Sequence, residues 1–513
     1  MKPGTWYPNR VPLAVGTGAL MVFSFPLYGY DYQLDHLVWI TPVPLFIAAC
    51  GVGGKRGFLL GWLAGMTLEM AGFVWILYAI RSFSGQGPVL SSLLFVGWLV
   101  YTTLPWGVLG WALGRCPDPS KILWVIPLWV GVEHFFPRLF PWHVGGALYG
   151  RVWFLQCVDV LGTSGLSALV FLVSAAIYRG ILYLRGMGRF PVRTLVAAVV
   201  LVSLALTYGA MRLDSVRQLE EAASGLKVGF VQGNIDPGDR EMMAKEVGYY
   251  LDESQCLFAE EGHPDLLVWP EGVLSPPFVL ALPRFSVWHE WRKAPDDMKR
   301  LRDLPVPLVA GGFAVSLRED DATGVNRYNV AVYLQKGSAP RFYKKNHRIP
   351  FGEKWIPEFL GLPNAGNLSP GTDNPVLRLG EHEFRNLICY EVVLPDYVRQ
   401  SAAGADFLVN VTEDAWYGNT AHVGQHLSVL ILRCVESRTP LVRCTNVGPS
   451  GVVGVTGEFR SPRRVFEADR FVEDLVPLRM TTIHSRGGYL FPLLCLIVGV
   501  FGQWRWRSRK ASN

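Results

Sequence analysis

The chain has 513 residues, of which 50% are hydrophobic and 18% are charged, and its mean hydropathy is +0.24. This composition is too apolar for an ordinary soluble multidomain protein and too polar for a protein that lies in a membrane throughout. The net charge of +6 would favour nucleic-acid binding if it clustered on one face, but much of it flanks apolar runs. That placement is typical of anchoring at phospholipid headgroups, and it argues against a nucleic-acid partner.

Apolar stretches long enough to cross about 30 Å of hydrocarbon recur before residue 212 and once near the end of the chain. They lie at about 11–28, 37–52, 57–80, 89–114, 122–136, 154–178, 194–211 and 488–504. The second and fifth are the weakest, so the sequence predicts eight spans, with seven as the alternative. No small-residue cleavage site follows the first span, and we therefore expect it to be retained.

Positive charge orients these spans, because short loops rich in Lys and Arg stay in the cytoplasm. With eight spans and a cytoplasmic N-terminus, every inside segment is basic, whereas the short outside loops carry only Arg81, Arg138 and Arg151. The prediction is a helical membrane domain over residues 1–212, an extracytoplasmic domain over 213–487, and a final span with a basic cytoplasmic tail over 488–513.

Two ionisable residues and one tryptophan within the spans or near their ends are informative. Glu69 lies near the middle of a span, and two roles are equally compatible with this position: a structural hydrogen bond and a contact with a lipid headgroup. Glu133 lies close to a predicted span end and is predicted to be interfacial. Trp142 is predicted to belong to an aromatic belt at the membrane surface.

Residues 213–487 contain short β-branched and aromatic runs, from LKVGFVQGN to GVVGVTG, separated by helical or turn-rich stretches. Near-continuous apolar strands of this kind bury both faces. They favour an α/β layered sandwich over an all-β barrel.

Several of these strands end in ionisable residues, which is where α/β sheets commonly place their sites. A cysteine attacks a carbonyl well only as a thiolate, so it needs a base for its proton and a cation for its charge. Glu271 and Lys345 could supply these functions to Cys389. Each residue alone has an ordinary explanation, as a core cysteine, a solvated turn glutamate or a surface lysine. Their combination, each inside an extended motif, is hard to explain as accident.

The segments WPEG, YKKNHRIPFGE and ICYE resemble the Glu-Lys-Cys triad motifs of the nitrilase superfamily. More closely, the chain resembles the apolipoprotein N-acyltransferase family, in which such a domain is inserted before the last membrane span. The domain opening, the membrane-half signature, the strand after the cysteine and the final span are matched by VGFVQGNI, FPW, NVTEDAWYG and GGYLFPLLCL. The resemblance implies a multi-span α-helical membrane domain plus an α/β nitrilase-type αββα sandwich domain.

The resemblance also implies residue roles, with Glu271 as general base, Lys345 as triad lysine and Cys389 as nucleophile. The supporting residues are Glu353, which helps to hold the lysine, and Tyr390 and Glu391, which follow the nucleophile. Lys344 is the less favoured partner, because its register is off by one and a strand would turn it to the opposite face.

Two departures from the family bear on substrate contacts more than on the reaction. After QGNI the family usually continues to a Lys-Trp pair that closes over the site, whereas this chain continues as DPGDRE. The residue before Asp414 is often Asn in the family and is Glu413 here.

The implied reaction is a two-step acyl transfer in lipoprotein maturation. Cys389 attacks the sn-1 ester of a phospholipid, with phosphatidylethanolamine as the expected donor, and the resulting thioester acylates the α-amino group of the S-diacylglyceryl-cysteine of an apolipoprotein. The resemblance places the domain on the periplasmic face of a bacterial inner membrane. The enzyme alternative is a membrane-tethered amidase or hydrolase that passes its acyl group to water; a silent scaffold or transporter is a further alternative.

No cofactor or metal is expected. The eight cysteines lie far apart and include no CxxC pair, which argues against a zinc site and against an obligatory disulfide framework. His422 and His426 have i, i+4 spacing on a predicted helix, but no metal pattern lies near them.

Overall fold

The structure is a computed structural model that describes residues 9–26, 34–84, 87–116, 118–236, 239–280, 296–317, 325–350, 353, 368–461 and 464–511. The described chain forms a helical part from both ends of the sequence and a two-sheet domain between them. The DPGDRE departure and the segment before Glu353 lie partly outside the described residues.

The helical part begins with helices that precede the first strand. These are α1 (Arg10–Ser24), α2 (Pro42–Ala49), α3 (Gly54–Gly72), α4 (Trp75–Ser84), α5 (Pro88–Thr102), α6 (Leu104–Arg115), α7 (Val125–Phe135), α8 (Val152–Gln156), α9 (Val158–Leu184) and α10 (Val192–Ala222).

By length and apolar composition, three described helical stretches could cross a membrane: Pro88–Arg115, Val158–Leu184 and Val192–Ala222. The pair formed by α3 and α4 would be a fourth, bent by 60° at the break between them. Shorter apolar helices occur at Arg10–Ser24, Asp35–Ala49 and Leu490–Trp504. The eight-span arrangement therefore stays a prediction, while a helical membrane domain is confirmed.

Glycines allow α3 and α6 to pack at very short distance. A Cβ atom on Gly61 would lie 2.1 Å from the backbone oxygen of Trp106, and one on Gly110 would lie 2.1 Å from the oxygen of Gly57. Small residues spaced four apart are typical of helix pairs whose backbones touch within a membrane.

The predicted boundary at residue 212 falls inside a continuous helix, because α10 runs from Val192 to Ala222. The first strand then begins at Leu226. One helix thus leads from the membrane part directly into the sheet domain.

The strands of the described chain form two sheets. They are β1 (Leu226–Gln232), β2 (Leu266–Val268), β3 (Leu274–Val279), β4 (Leu308–Leu317), β5 (Val325–Leu334), β6 (Arg341–Lys344), β7 (Leu377–Leu379), β8 (His382–Ile388), β9 (Phe407–Thr412), β10 (Leu441–Thr445), β11 (Gly451–Val453), β12 (Phe459–Arg460) and β13 (Asp469–Leu475). The first sheet has the order β13-β1-β2-β4-β5-β6 with β3 beside β4, and the second has the order β12-β11-β10-β9-β8-β7.

The remaining helices cover the sheets or return the chain to the helical part. They are α11 (Arg240–Glu261), α12 (Asp296–Arg302), α13 (Pro395–Ala402), α14 (His422–Ser437), α15 (Ile483–Gly487) and α16 (Leu490–Ala511).

The two sheets pack face to face through a shared apolar core that includes Phe230 and Val268 from one sheet and Phe384 and Val409 from the other. A second core lies between the first sheet and α11 and α12. A third joins the outer face of the second sheet and α14 to the membrane helices. These layers confirm the predicted αββα sandwich.

Strand direction brings the motif residues to one edge. β1, β2 and β4 are parallel, as are β8, β9 and β10. β6 is antiparallel to β5, which is antiparallel to β4, so β6 ends on the same side as β4. The segments after β2, β6, β8 and β9 therefore meet at the carboxyl ends of the strands.

Candidate active site

Cys389 follows the last residue of β8 and opens a single 3-10 turn, Cys389–Val393. Its side chain is buried and its φ angle is +48°, in the left-handed region that non-glycine residues rarely adopt. A conformation of this kind persists only where its surroundings hold it, and it is common at catalytic turns.

The Glu391 carboxylate holds this turn. Its Oε2 accepts hydrogen bonds from the Ile388 amide at 2.8 Å and the Tyr343 hydroxyl at 2.6 Å. Its Oε1 accepts from the amides of Asn346 and His347 at 2.7 and 3.0 Å. Glu391 thereby ties the cysteine turn to the segment that carries Lys345.

Lys345 lies between two carboxylates. Its Nζ is 2.8 Å from Glu353 Oε1 and 3.3 Å from Glu271 Oε1, and its side chain is 1% exposed. Asn329 Nδ2 donates to the same two oxygens, at 2.6 Å to Glu271 and 2.9 Å to Glu353. The structure therefore brings three predicted site residues together, with an asparagine that the sequence did not single out.

Lys344 points away from this cluster. Its Nζ lies 4.4 Å from the centroid of the Tyr328 ring, as expected when successive strand residues face opposite sides. The geometry thus selects Lys345, because Lys344 and Lys345 are successive residues and face opposite sides.

Glu271 is held by backbone as well as by side chains. Its Oε2 accepts a hydrogen bond from the Glu413 amide at 2.9 Å. A Cβ atom on Gly311 in β4 would lie only 2.3 Å from the Glu271 Cα. Glycine is needed at position 311 because the segment that carries Glu271 crosses directly over this strand.

Burial and neighbouring charge set the proton affinities of the cluster. Burial raises the pKa of Glu271, Lys345 opposes this, and Glu353 adds to it. Burial by itself would lower the pKa of Lys345, but the two carboxylates outweigh it and raise the pKa. Burial also raises the pKa of the Cys389 thiol well above its ordinary value, with Glu271 adding to the effect and Lys345 opposing it. At rest the cysteine is therefore a thiol beside a charged lysine.

A narrow apolar cavity reaches Cys389 from the membrane half. The space between its walls that is not filled by atoms is about 520 Å³, part of which is open solvent. Its lining residues are Trp75, Ile76, Ala79, Ile80, Leu139, Phe140, Ile349, Pro350, Cys389, Tyr390, Val393, Tyr417, His422 and His426. The Tyr390 hydroxyl donates to the Leu139 carbonyl at 2.7 Å and so joins the cysteine turn to the membrane half.

A second buried cluster lies after β9. Asp414 pairs with Arg443 at 2.5 Å and contacts His426 Nδ1 at 3.2 Å. Ligand atoms of Asp414, His422 and His426 lie within 4.8 Å of one another, which is close enough for a metal ion. The Arg443 guanidinium already neutralises Asp414 and lies 3.3 Å from His426 Nδ1, so a further cation would be repelled. This geometry favours an internal salt bridge over a metal centre.

Glu413 contacts Glu271 through its backbone amide, whereas its carboxylate accepts hydrogen bonds from other residues. Its Oε2 accepts from Asn446 Nδ2 and its Oε1 from the Ala415 amide, both at 2.8 Å. Burial raises the pKa of Glu413 well above its ordinary value. Asn329 could have been suspected only as a polar residue in an apolar strand, a signal too general to assign a role. Glu413 stood out in the sequence as a departure from the family, but no contact with Glu271 was predicted for it.

One prediction about the membrane half was wrong. Trp142 is 5% exposed and its Nε1 donates to Glu69 Oε1 at 3.2 Å, so it lies inside the bundle and not in a surface belt. Glu133 lies near the end of α7, is 2% exposed and accepts from the Val144 amide at 2.8 Å, while its interfacial position stays a prediction. Both side chains satisfy polar groups that apolar surroundings would leave unpaired.

Comparison with known proteins identifies related sequences for both halves. Residues 17–176 match the family described as apolipoprotein N-acyltransferase N-terminal domain, and residues 227–469 match carbon-nitrogen hydrolase. The apolipoprotein N-acyltransferase of Geobacter metallireducens is 30% identical, over 94% of this chain and 92% of that protein. That of Azotobacter vinelandii is 27% identical, over 100% and 97%.

Two of the similar solved structures are described as members of the nitrilase superfamily. An amidase from Nesterenkonia is 22% identical, with a TM-score of 0.35, over 50% of this chain and 92% of that chain. A member of branch 10 of the superfamily from Saccharomyces cerevisiae is 17% identical, with a TM-score of 0.37, over 52% and 94%.

Proposed function

Because the chain belongs to the apolipoprotein N-acyltransferase family, we propose that it acylates lipoproteins through a thioester on Cys389, with Glu271 as base and Lys345 as the cationic partner. The protein is a membrane acyltransferase whose acceptor is a lipoprotein and whose donor is a membrane lipid. Three further points belong to the proposal: phosphatidylethanolamine is the donor, Glu271, Lys345 and Cys389 form the catalytic triad, and a thioester is the intermediate.

In the first step, Glu271 takes the thiol proton as the Cys389 sulfur attacks the sn-1 ester carbonyl of the phospholipid. The oxyanion that forms is stabilised by the Lys345 ammonium and by the backbone N–H of Tyr390. The C–O bond then breaks, and the lysophospholipid oxygen receives the proton from Glu271. An acyl thioester remains on Cys389.

In the second step, the α-amino group of the S-diacylglyceryl-cysteine attacks the thioester carbonyl. Glu271 takes a proton from the amine, the C–S bond breaks, and the leaving sulfur is reprotonated. The products are an N-acylated lipoprotein and the resting thiol. The raised pKa of Glu271 suits this cycle, because the group must both accept and return a proton.

The observation that carries the proposal is the apolar cavity between Cys389 and the membrane helix α4. An acyl chain withdrawn into water costs about 0.8 kcal/mol for each exposed CH₂ group. A cavity shared by the nucleophile and a membrane helix removes that cost. We further propose that the site faces the outer leaflet of a bacterial inner membrane, in a multi-span arrangement with residues 213–487 in the periplasm.

A tethered hydrolase would use the same triad and pass the acyl group to water. The acyltransferase function is favoured because the relatives that bear this name align along nearly the whole chain, membrane half included.

The test is peptide mass spectrometry of the full-length enzyme after incubation with phosphatidylethanolamine. We expect a hydroxylamine-labile acyl mass on the peptide that contains Cys389, discharged by a diacylated lipopeptide. Cys389→Ala should abolish this adduct, and Cys256→Ala, at an exposed cysteine, should leave it unchanged. Discharge by water as fast as by the lipopeptide would replace the transferase with a hydrolase.

A further inference from the structure

Helix α4 separates two spaces that have different character. Its buried residues Ile76, Ala79 and Ile80 line the cavity that contains Cys389. Tyr78 on its other face and Val74 just before the helix, which are 48% and 50% exposed, line an open groove, and Trp75 lines both spaces. Residues three and four apart share a helix face, so one short helix forms the wall between cavity and groove.

The position of this wall is fixed by the sheet domain. At the break before α4, Gln425 Nε2 donates to the Gly72 carbonyl at 2.9 Å. Gln425 Oε1 accepts from Trp75 Nε1, also at 2.9 Å. Thr420, in the loop that precedes α14, lines the groove, while Tyr417 in the same loop lines the cavity. The groove is therefore part of the same junction as the nucleophile.

The groove encloses about 1110 Å³, part of which is open solvent, and its apolar wall ends in a cation. Arg81, Ser82 and Thr420 line this end of the groove. Among the residues that the structure describes, no carboxylate lies within 4.0 Å of the exposed Arg81 guanidinium. The Thr420 hydroxyl donates to the Tyr417 carbonyl at 3.0 Å, so the guanidinium is the polar group of interest here. An apolar surface that ends in a guanidinium without a carboxylate partner matches an amphipathic anion.

We propose that this groove binds the phosphate and the retained acyl chain of the phospholipid donor, with Arg81 contacting the phosphate. The inference rests on the proposed function. The donor straddles α4, so that the chain to be transferred enters the cavity beside Cys389 while the other chain lies along Val74 and Tyr78. The acceptor's diacylglyceryl group carries no phosphate, so the cation distinguishes donor from acceptor.

The experiment measures acyl-adduct formation on Cys389 by the full-length enzyme with two donors. One is phosphatidylethanolamine, and the other is p-nitrophenyl palmitate, an activated ester with one acyl chain and no phosphate. Arg81→Gln should raise KM for the phospholipid roughly tenfold, and Arg81→Lys about threefold, since lysine keeps the charge but loses the bidentate fork. The kinetics with p-nitrophenyl palmitate should not change. Arg193→Gln, at an exposed arginine on α10, is the matched control.

Three outcomes would overturn the proposal. The first is an unchanged KM for the phospholipid in Arg81→Gln. The second is an equal loss with both donors, which would mean that Arg81 supports the fold or the chemistry. The third is an effect confined to KM for the acceptor lipopeptide, which would assign the groove to the acceptor. If the wild type forms no adduct with either donor, the thioester mechanism itself fails, and this proposal fails with it.

Discussion

Two buried clusters of charged side chains lie at the same edge of the paired sheets, and they are built in opposite ways. In the first, one ammonium, that of Lys345, contacts the two carboxylates of Glu271 and Glu353. In the second, the carboxylate of Asp414 pairs with one guanidinium, that of Arg443, and both side chains are fully buried. The first cluster has more carboxylates than cations, and the second is matched one to one.

Because of this difference in charge balance, the pKa of Glu271 in the first cluster is raised and that of Asp414 in the second is lowered. Burial raises the pKa of Glu271 against the opposing effect of Lys345. For Asp414, burial acts in the same direction, but Arg443, together with His426 and His422, outweighs burial and lowers the pKa far below its ordinary value. A carboxylate that shares its cation can accept a proton during a reaction, whereas one with a cation of its own stays ionised and holds structure.

Removing the base should produce the largest effect. Glu271→Gln keeps the shape of the side chain and an oxygen acceptor but cannot take the thiol proton. We expect the rate of adduct formation on Cys389 to fall by about 10³-fold, with a melting temperature close to that of the wild type. A rate within tenfold of wild type would exclude Glu271 as the general base.

Breaking the second cluster should instead affect stability. Asp414→Asn leaves the Arg443 guanidinium buried without a counter-charge, which should lower the free energy of unfolding by about 3–5 kcal/mol. The folded pKa of Asp414 is lowered, so its stabilisation is present above the unfolded pKa of about 3.9 and is lost as pH falls below it. Chemical denaturation as a function of pH tests both points.

The matched control for this variant is Asp396→Asn, which removes an exposed partner of Arg399 and should change stability by less than about 1 kcal/mol. Adding Arg443→Met to Asp414→Asn should restore part of the loss. If Asp414→Asn were as stable as the wild type at neutral pH, the structural role of this pair would be refuted.

The smallest expected effect is a shift in the pH dependence that is set by Glu271 in the first cluster. Acylation requires ionised Glu271, so its rate should fall as pH decreases through a pKa above the ordinary value of 4.5. The Asn329 amide donates to Glu271 and lowers that pKa. Asn329→Ala should therefore move the acid limb of kcat/KM to higher pH, by roughly one unit or less.

The control for Asn329→Ala is Asn326→Ala, on the same strand but bonded to Ser369 and not to the cluster. Its pH profile should match that of the wild type. An acid limb that does not move in Asn329→Ala would mean that the amide does not set the proton affinity of Glu271.

Much of the site could be predicted because each motif is local. The spacing of YKKNHRIPFGE put Lys345 and not Lys344 beside Glu353, since strand alternation decides which face a residue takes. The contact of Lys345 with Glu271 could be predicted only through family resemblance, because these residues are 74 positions apart. Asn329 escaped prediction because its strand looks like any other apolar strand with one polar residue.

The sequence by itself determined the two-part organisation, the sandwich fold and the short segments that carry Glu271, Lys345 and Cys389. These depend on hydrophobic runs and on spacing within short segments, which are properties of neighbouring residues. Only the tertiary structure decided that Trp142 is buried against Glu69, that the Glu413 amide holds Glu271, and that α4 separates the cysteine cavity from a groove with Arg81. Each of these contacts joins residues from distant segments, and which segments meet is set by strand order and helix packing, which no local pattern encodes.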